Sequence, residues 1–196
     1  MPSMYNETPA SMCNIALGIL GVEDQVFNID DPDPENVWEK RANLIYNQIL
    51  RKTLASFMPT FAITPNPVKI AKSGDGEHRT PADCLKLLEV DGMSGDDIHD
   101  YGGVIHCDFP VGDTIEIKYV RMVDETGLWS PEFQFYFPYE LAVGFAGFLN
   151  DKSKRADAVA LKNAALADMG GVNAQRVRLK RRFKDIYKKK WHFPVR

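Results

Sequence analysis

Between Asp33 and Pro59 the chain carries one long amphipathic pattern, and this stretch narrows the choice of fold more than any other. Trp38, Ala42, Ile45 and Ile49 recur at three- and four-residue spacing, with Leu50, Leu54 and Phe57 close beside them. A stripe of about six turns needs an apolar partner along its length, so other helices or a sheet must cover it. Asp33 reads as its cap, Pro34 as its first turn, Glu35 as a charge favoured at the positive helix end, and Pro59 as its stop.

Three further helices are expected. Thr8-Pro9 opens the first, whose apolar positions are Met12, Ile15, Ala16, Ile19 and Leu20, and Gly21 ends it. Ser130-Pro131-Glu132 opens another. There Pro138 must kink or restart the helix, and Leu141, Phe145 and Phe148 with Gly144 and Gly147 leave almost no polar face. Such a segment belongs under other helices or against another subunit. In the last, Ala156, Val159, Ala160, Ala164, Leu166 and Ala167 form a small-residue face, closed by Gly170-Gly171.

From Phe61 to Met122 the texture turns to short runs of β type, "FAITPNPVKIA", "CLKLLEVDG", "GGVIHCDF" and "TIEIKYVRMV", separated by Gly, Asp and Pro. Ile115, Ile117 and Tyr119 alternate with Glu116 and Lys118, the mark of a half-solvated strand. One antiparallel sheet of about three to five strands is expected. The fold class is therefore α+β: a helical bundle of two N-terminal and two C-terminal core helices, an inserted small antiparallel β-sheet, and an extended basic C-terminal arm.

Several function classes find no support. No phosphate-cradling glycine loop, no GxSxG and no HExxH occurs, so neither an enzyme nor a cofactor is expected. Cys13, Cys84 and Cys107 are odd in number and form no CxxC pair, and read as buried free thiols in a reducing compartment. His99, His106 and Cys107 lie close together but lack a fourth ligand. His106 and Cys107, adjacent in a strand, would face opposite ways, so no metal site is expected. His78, in "KSGDGEHRTP", is expected in solvent. Asp30, Asp31, Asp33 and Glu35 lack the glycine and distal glutamate of a calcium loop, and capping is their expected role. The most apolar region, "FQFYFPYELAVGFAGFLN", is broken by Gln134, Pro138 and Glu140, and the start of the chain lacks a basic, then apolar leader. No membrane span or secretory signal is expected.

Charge is divided unevenly. Residues 176–196 hold ten of the 24 Lys and Arg residues but only Asp185 of the 27 acids, a net +9; residues 1–175 hold 14 bases against 26 acids, a net −12. Such asymmetry points to a partner, either nucleic acid or an acidic protein groove. Val177, Leu179, Phe183, Ile186 and Tyr187 are roughly helically spaced, and Trp191, Phe193 and Pro194 make an aromatic end that charge does not explain. Disorder is expected for this segment in the free protein.

The order of these segments resembles the tail adaptor proteins of short-tailed bacteriophages, also called tail tubular protein A or head-to-tail connector adaptors. The resemblance rests on "NIALGILGVEDQVFNIDD", the long helix, "TFAI", Pro81 to Leu85, "GGVIHCD", "IEIKYVRMVDE", the helix entry Trp129 to Phe133, and the Ala-rich helix. It covers about residues 11–170 and lies in the ordered set, not in any one motif. It implies a single adaptor domain over 8–170, with N-terminal helices at 8–58, a β region at 61–123 and C-terminal helices at 130–170, followed by an arm at 171–196. It further implies a structural virion protein, made in the host cytoplasm and sited at the head–tail joint. Twelve copies would form a ring between portal and tail nozzle protein, and DNA would cross the channel without sequence-specific binding. Related connectors insert C-terminal segments into outer grooves of the portal. The portal-binding arm would then be Arg176, Arg178, Lys180, Arg181, Arg182, Phe183, Lys184, Tyr187, Lys188, Lys189, Lys190, Trp191 and Phe193, with the aromatics as anchors and the charges steering. The second reading is a nucleic-acid-binding segment, since cations interleaved with Phe183, Tyr187 and Trp191 also suit phosphate contact and base stacking.

Overall fold

Helix α1 (Pro9–Ile19) begins where Thr8 Oγ1 accepts a hydrogen bond from Ser11 N at 3.2 Å, with proline in the first turn. It stops at Gly21, whose φ of 64° is open to glycine at no steric cost. The structure, a computed structural model, describes residues 8–95 and 97–168. Met12, Cys13, Ala16, Leu17 and Leu20 are buried, whereas Ile15 is exposed. The inward face is thus turned from the expected stripe. Asn14 binds Val26 through both backbone groups, at 2.9 and 2.7 Å, which ties the following loop to the side of α1.

Helix α2 (Val37–Phe57) starts three residues later than the Asp33 reading placed it. Asn28 and Asp31 each accept from the backbone amide two residues on, at 2.9 and 3.0 Å, so the acid-rich run is spent in tight turns. Asn36 is the cap: its Oδ1 accepts from Trp38 N at 2.8 Å while its amide donates to Gln25 O at 2.7 Å. Trp38, Ala42, Tyr46, Leu50 and Leu54 line the buried face, with Ile45 and Ile49 at its flank. Met58, in the left-handed region with φ 48°, ends the helix just before Pro59.

The β region forms two three-stranded antiparallel sheets instead of one. β1 (Val68–Ala71), β6 (Thr114–Arg121) and β3 (Cys84–Val90) are ordered β1-β6-β3; β2 (His78–Arg79), β5 (Val104–Cys107) and β4 (Ile98–Tyr101) are ordered β2-β5-β4. Both edges of β6 are taken by β1 and β3, so β5 has no place beside it. Gly102 and Gly103, both at positive φ, instead close β4 and β5 into a two-residue hairpin. The alternation in β6 holds: Ile115, Ile117 and Tyr119 are buried, and Glu116 is exposed. His78 reverses its expectation. It lies in β2 opposite Ile105, only 4 % exposed, because a two-residue strand that turns Arg79 outward turns its neighbour inward.

Helix α3 (Pro131–Ala146) is capped by Ser130 Oγ, which accepts from Phe133 N at 3.4 Å. It runs through Pro138 without a restart. Trp129, at the end of a 3-10 turn (Thr126–Leu128), donates from Nε1 to Val123 O at 2.9 Å and packs edge-on against Phe133 and Phe137. Phe145 meets Trp38 and Phe137 meets Tyr46 in the same T-shaped way. Such pairs add about 0.5–1.5 kcal/mol each beyond their burial. Helix α4 (residues 152–168) is opened by Asp151, whose carboxylate accepts from Ser153 N and Lys154 N.

The inward residues of α4 are Ala158 and Ala165, and the expected face of Ala156, Val159, Ala160, Ala164, Leu166 and Ala167 is exposed. Two alanine faces with the same period were present. Lys162 reaching Glu140 at 3.7 Å, and Ala165 seated on Tyr136, belong to the one that docks. Gly170 and Gly171 lie outside the described residues. The chain is thus α+β. Its main core gathers α1, α2 and α3 with Val120 and Val123, and a smaller cluster joins Val90, Ile105, Ile115, Ile117 and Tyr119. Among the described residues no helix is long and apolar enough to cross a membrane.

Candidate functional site

Every residue named for docking, from Arg176 to Phe193, lies outside the described residues, so the site that the structure offers is on the body. One such place is an open cleft of about 350 Å³ where the start of α1, the middle of α2 and the turn after β6 converge. Pro9 and Ile29 supply apolar wall. Asp30, Asp124 and Glu125 supply carboxylates, and Tyr46 and Asn47 come from successive positions of α2. Each is placed by a local cause. Asp30 follows the Asn28 turn, in a loop tied to α2 where Phe27 N donates to Glu39 Oε1 at 2.8 Å. Asp124 and Glu125 sit between Val123, buried in the core, and the 3-10 turn that delivers Trp129.

Tyr46 is the unusual member. It is 2 % exposed, its ring meets Phe137 edge-on at 5.5 Å, and its hydroxyl has no hydrogen-bond partner among the described residues. Burial first, then the charges of Cys13, Asp30 and Asp124, hold its phenol above the ordinary range. The hydroxyl is therefore protonated and within electrostatic reach of two of the cleft carboxylates. Among the described residues no ion pair reaches Asp30, Asp124 or Glu125. A cleft of this kind is suited to a cation with several N–H donors.

Elsewhere the chemistry is sparse. His99 and His106 are cross-strand partners on the β4–β5 hairpin, and Tyr101 stacks on His99 at 5.5 Å between centroids. Among the described residues no three His, Cys, Asp or Glu side chains are grouped to hold a metal ion. Burial pushes the Cys13 thiol up to about 12 and, with Asp100 and Asp83, the Cys84 thiol up to about 11, so neither is a ready nucleophile. Only Cys13 is fully buried; Cys84 and Cys107 are partly covered.

Compared with protein-family models and with curated proteins, the chain matches none. Sequence reasoning noticed Asp30 only as part of an acidic run and passed over Tyr46, Asp124 and Glu125. The one local signal was Tyr46 itself, a polar-tipped residue in step with Ala42 and Leu50 on the buried face of α2.

Proposed function

We propose that this chain is a structural virion protein, a head-to-tail adaptor that forms a ring between the portal and the tail nozzle and continues the DNA exit channel. In this reading the body is a helical bundle with a β insertion, used as a building block. The basic segment is the arm that reaches an acidic portal surface, with Trp191 and Phe193 as anchors. The observation that carries it is the ordered set of segments from "NIALGILG" to the Ala-rich helix, together with +9 confined to residues 176–196. An acidic body joined to a basic, aromatic-tipped segment suits a protein tether: aromatic anchors supply binding energy and charge sets encounter and register. A ring multiplies the modest affinity of each arm. Twelve copies, the head–tail joint and passive transit of DNA come with the resemblance.

The test is co-sedimentation with purified portal, with the mixture imaged by electron microscopy. The full chain is expected to form a ring on the portal, and a chain ending at residue 175 to lose docking. Undiminished binding of the shortened chain would refute the arm. The alternation of cations with Phe183, Tyr187 and Trp191 favours a second reading, nucleic-acid binding. Six or more phosphate contacts would make DNA affinity fall by roughly three or more orders of magnitude between low and moderate salt. DNA binding that ignores salt excludes it.

A further inference from the structure

The acid of the body is only partly neutralised by the body itself. Ion pairs lie on the sheets and between Lys162 and Glu140, while Asp30, Asp124 and Glu125 face their cleft with no basic partner among the described residues. Behind them sits the Tyr46 hydroxyl, buried and without a hydrogen-bond partner, an arrangement that costs free energy until something supplies one. We propose that this cleft is a receptor for a lysine or arginine side chain, and that its occupant is the chain's own basic segment, residues 176–196.

Three observations select that occupant. Among the described residues no three His, Cys, Asp or Glu side chains are grouped to hold a metal ion, which favours an organic cation as the ligand of these carboxylates. A guanidinium carries five N–H donors in a planar fork, enough to serve two carboxylates and a phenol oxygen at once. An ammonium offers three. The segment with the matching charge is on the same chain, at +9.

Reach also fits. From residue 168 to Arg176 an extended chain spans about 27 Å. Ala165 packs on Tyr136, whose ring lies 4.7 Å from Phe57 at the end of α2. Tyr46 lies eleven residues back along that helix, about 16 Å away. The free chain would then keep its basic segment on its own body, held by charge, until a stronger acidic surface takes it. The inference concerns the free chain and does not depend on what that surface is.

The experiment uses the full-length protein at low ionic strength, with carbodiimide cross-linking and limited trypsin digestion. Cross-links from Lys180, Lys184 or Lys188–Lys190 to Asp30, Asp124 and Glu125 are expected. In the variant Asp30→Asn, Asp124→Asn, Glu125→Gln these links vanish, and the segment is cut about tenfold faster. Tyr46→Phe keeps the ring and removes only the hydroxyl, and should speed cutting about threefold. A sheet variant with the same change in net charge beside the ends of β4, β5 and β6, Asp97→Asn, Asp108→Asn, Asp113→Asn, should digest like the parent. Circular dichroism melts check that all remain folded.

Equal acceleration by the sheet variant would show that the segment feels only net charge, and would overturn the proposal. So would a cleft variant that digests like the parent. Protection of the same carboxylates by millimolar calcium, with no link to the segment, would make the cleft a metal site and overturn it too. Each of these results is independent of portal docking.

Discussion

Ile49 Cδ1 lies 2.3 Å from the point where a β-carbon on Gly144 would sit, and Ile45 Cδ1 stands 3.1 Å from the same point. Helices α2 and α3 thus meet where there is no room for one more methyl group. Alanine would gain about 1 kcal/mol of helix propensity there, but overpacking ordinarily costs about 1–3 kcal/mol. Gly144→Ala is expected to destabilise by about 1 kcal/mol on balance. Ile49→Val removes Cδ1, and in that background the alanine should be neutral or stabilising. Urea unfolding of the four proteins reads the cycle, and simple additivity would place the close contact elsewhere.

The start of α2 separates two candidate caps. Asn36→Ala removes the bond to Trp38 N and the bond to Gln25 O, and should lower stability by about 1 kcal/mol or more. Asp33→Ala touches no helix amide and should stay within about 0.5 kcal/mol. Thermal unfolding of both decides it; a larger loss at Asp33 would move the helix start back.

Alkaline pH should unfold the protein in part through Cys13. Its thiol is fully buried, and burial alone pushes it up to about 12 from an ordinary 9.0. The native state keeps a proton that the unfolded chain gives up, so the contribution is whole below pH 9.0 and is lost as pH rises toward about 12. Each such group adds a slope of at most about 1.4 kcal/mol per pH unit, and Cys84, pushed up to about 11, acts with the same sign. Cys13→Ala is expected to lose stability at neutral pH and to show a flatter fall above it. Urea midpoints on either side of the thiol range test this, and an unchanged slope would clear Cys13.

Under the adaptor reading, Trp191→Ala should weaken portal docking more than Lys→Ala at 188, 189 or 190. A buried aromatic carries much of an interface's energy, while single rim charges contribute roughly 0–1 kcal/mol. Titration of each variant against portal would show it. Equal losses would remove the aromatic anchor.

Features held by neighbouring residues were legible. Thr8 and Ser130 cap their helices because a hydroxyl followed by proline needs nothing distant, and the period of two in Ile115, Ile117 and Tyr119 reports burial directly. Features settled by distant contacts were not. Asp33 and Asn36 are both fit to cap, and the bond from Asn36 to Gln25 favours the second. Two alanine faces of α4 look alike until Tyr136 and Glu140 take one. His78 is drawn inward by pairing with β5, which a two-residue strand cannot announce. The cleft joins Asp30, Tyr46 and Asp124 from three separate stretches, so no spacing rule finds it. The basic segment was plain as charge, and its residues lie outside those described.

Tyr119 and Val120 are adjacent in β6, yet one belongs to the small sheet cluster and the other to the helical core. A single eight-residue ribbon is therefore shared property. A load on this strand passes from one cluster to the other across a single peptide unit, with no hinge residue between them.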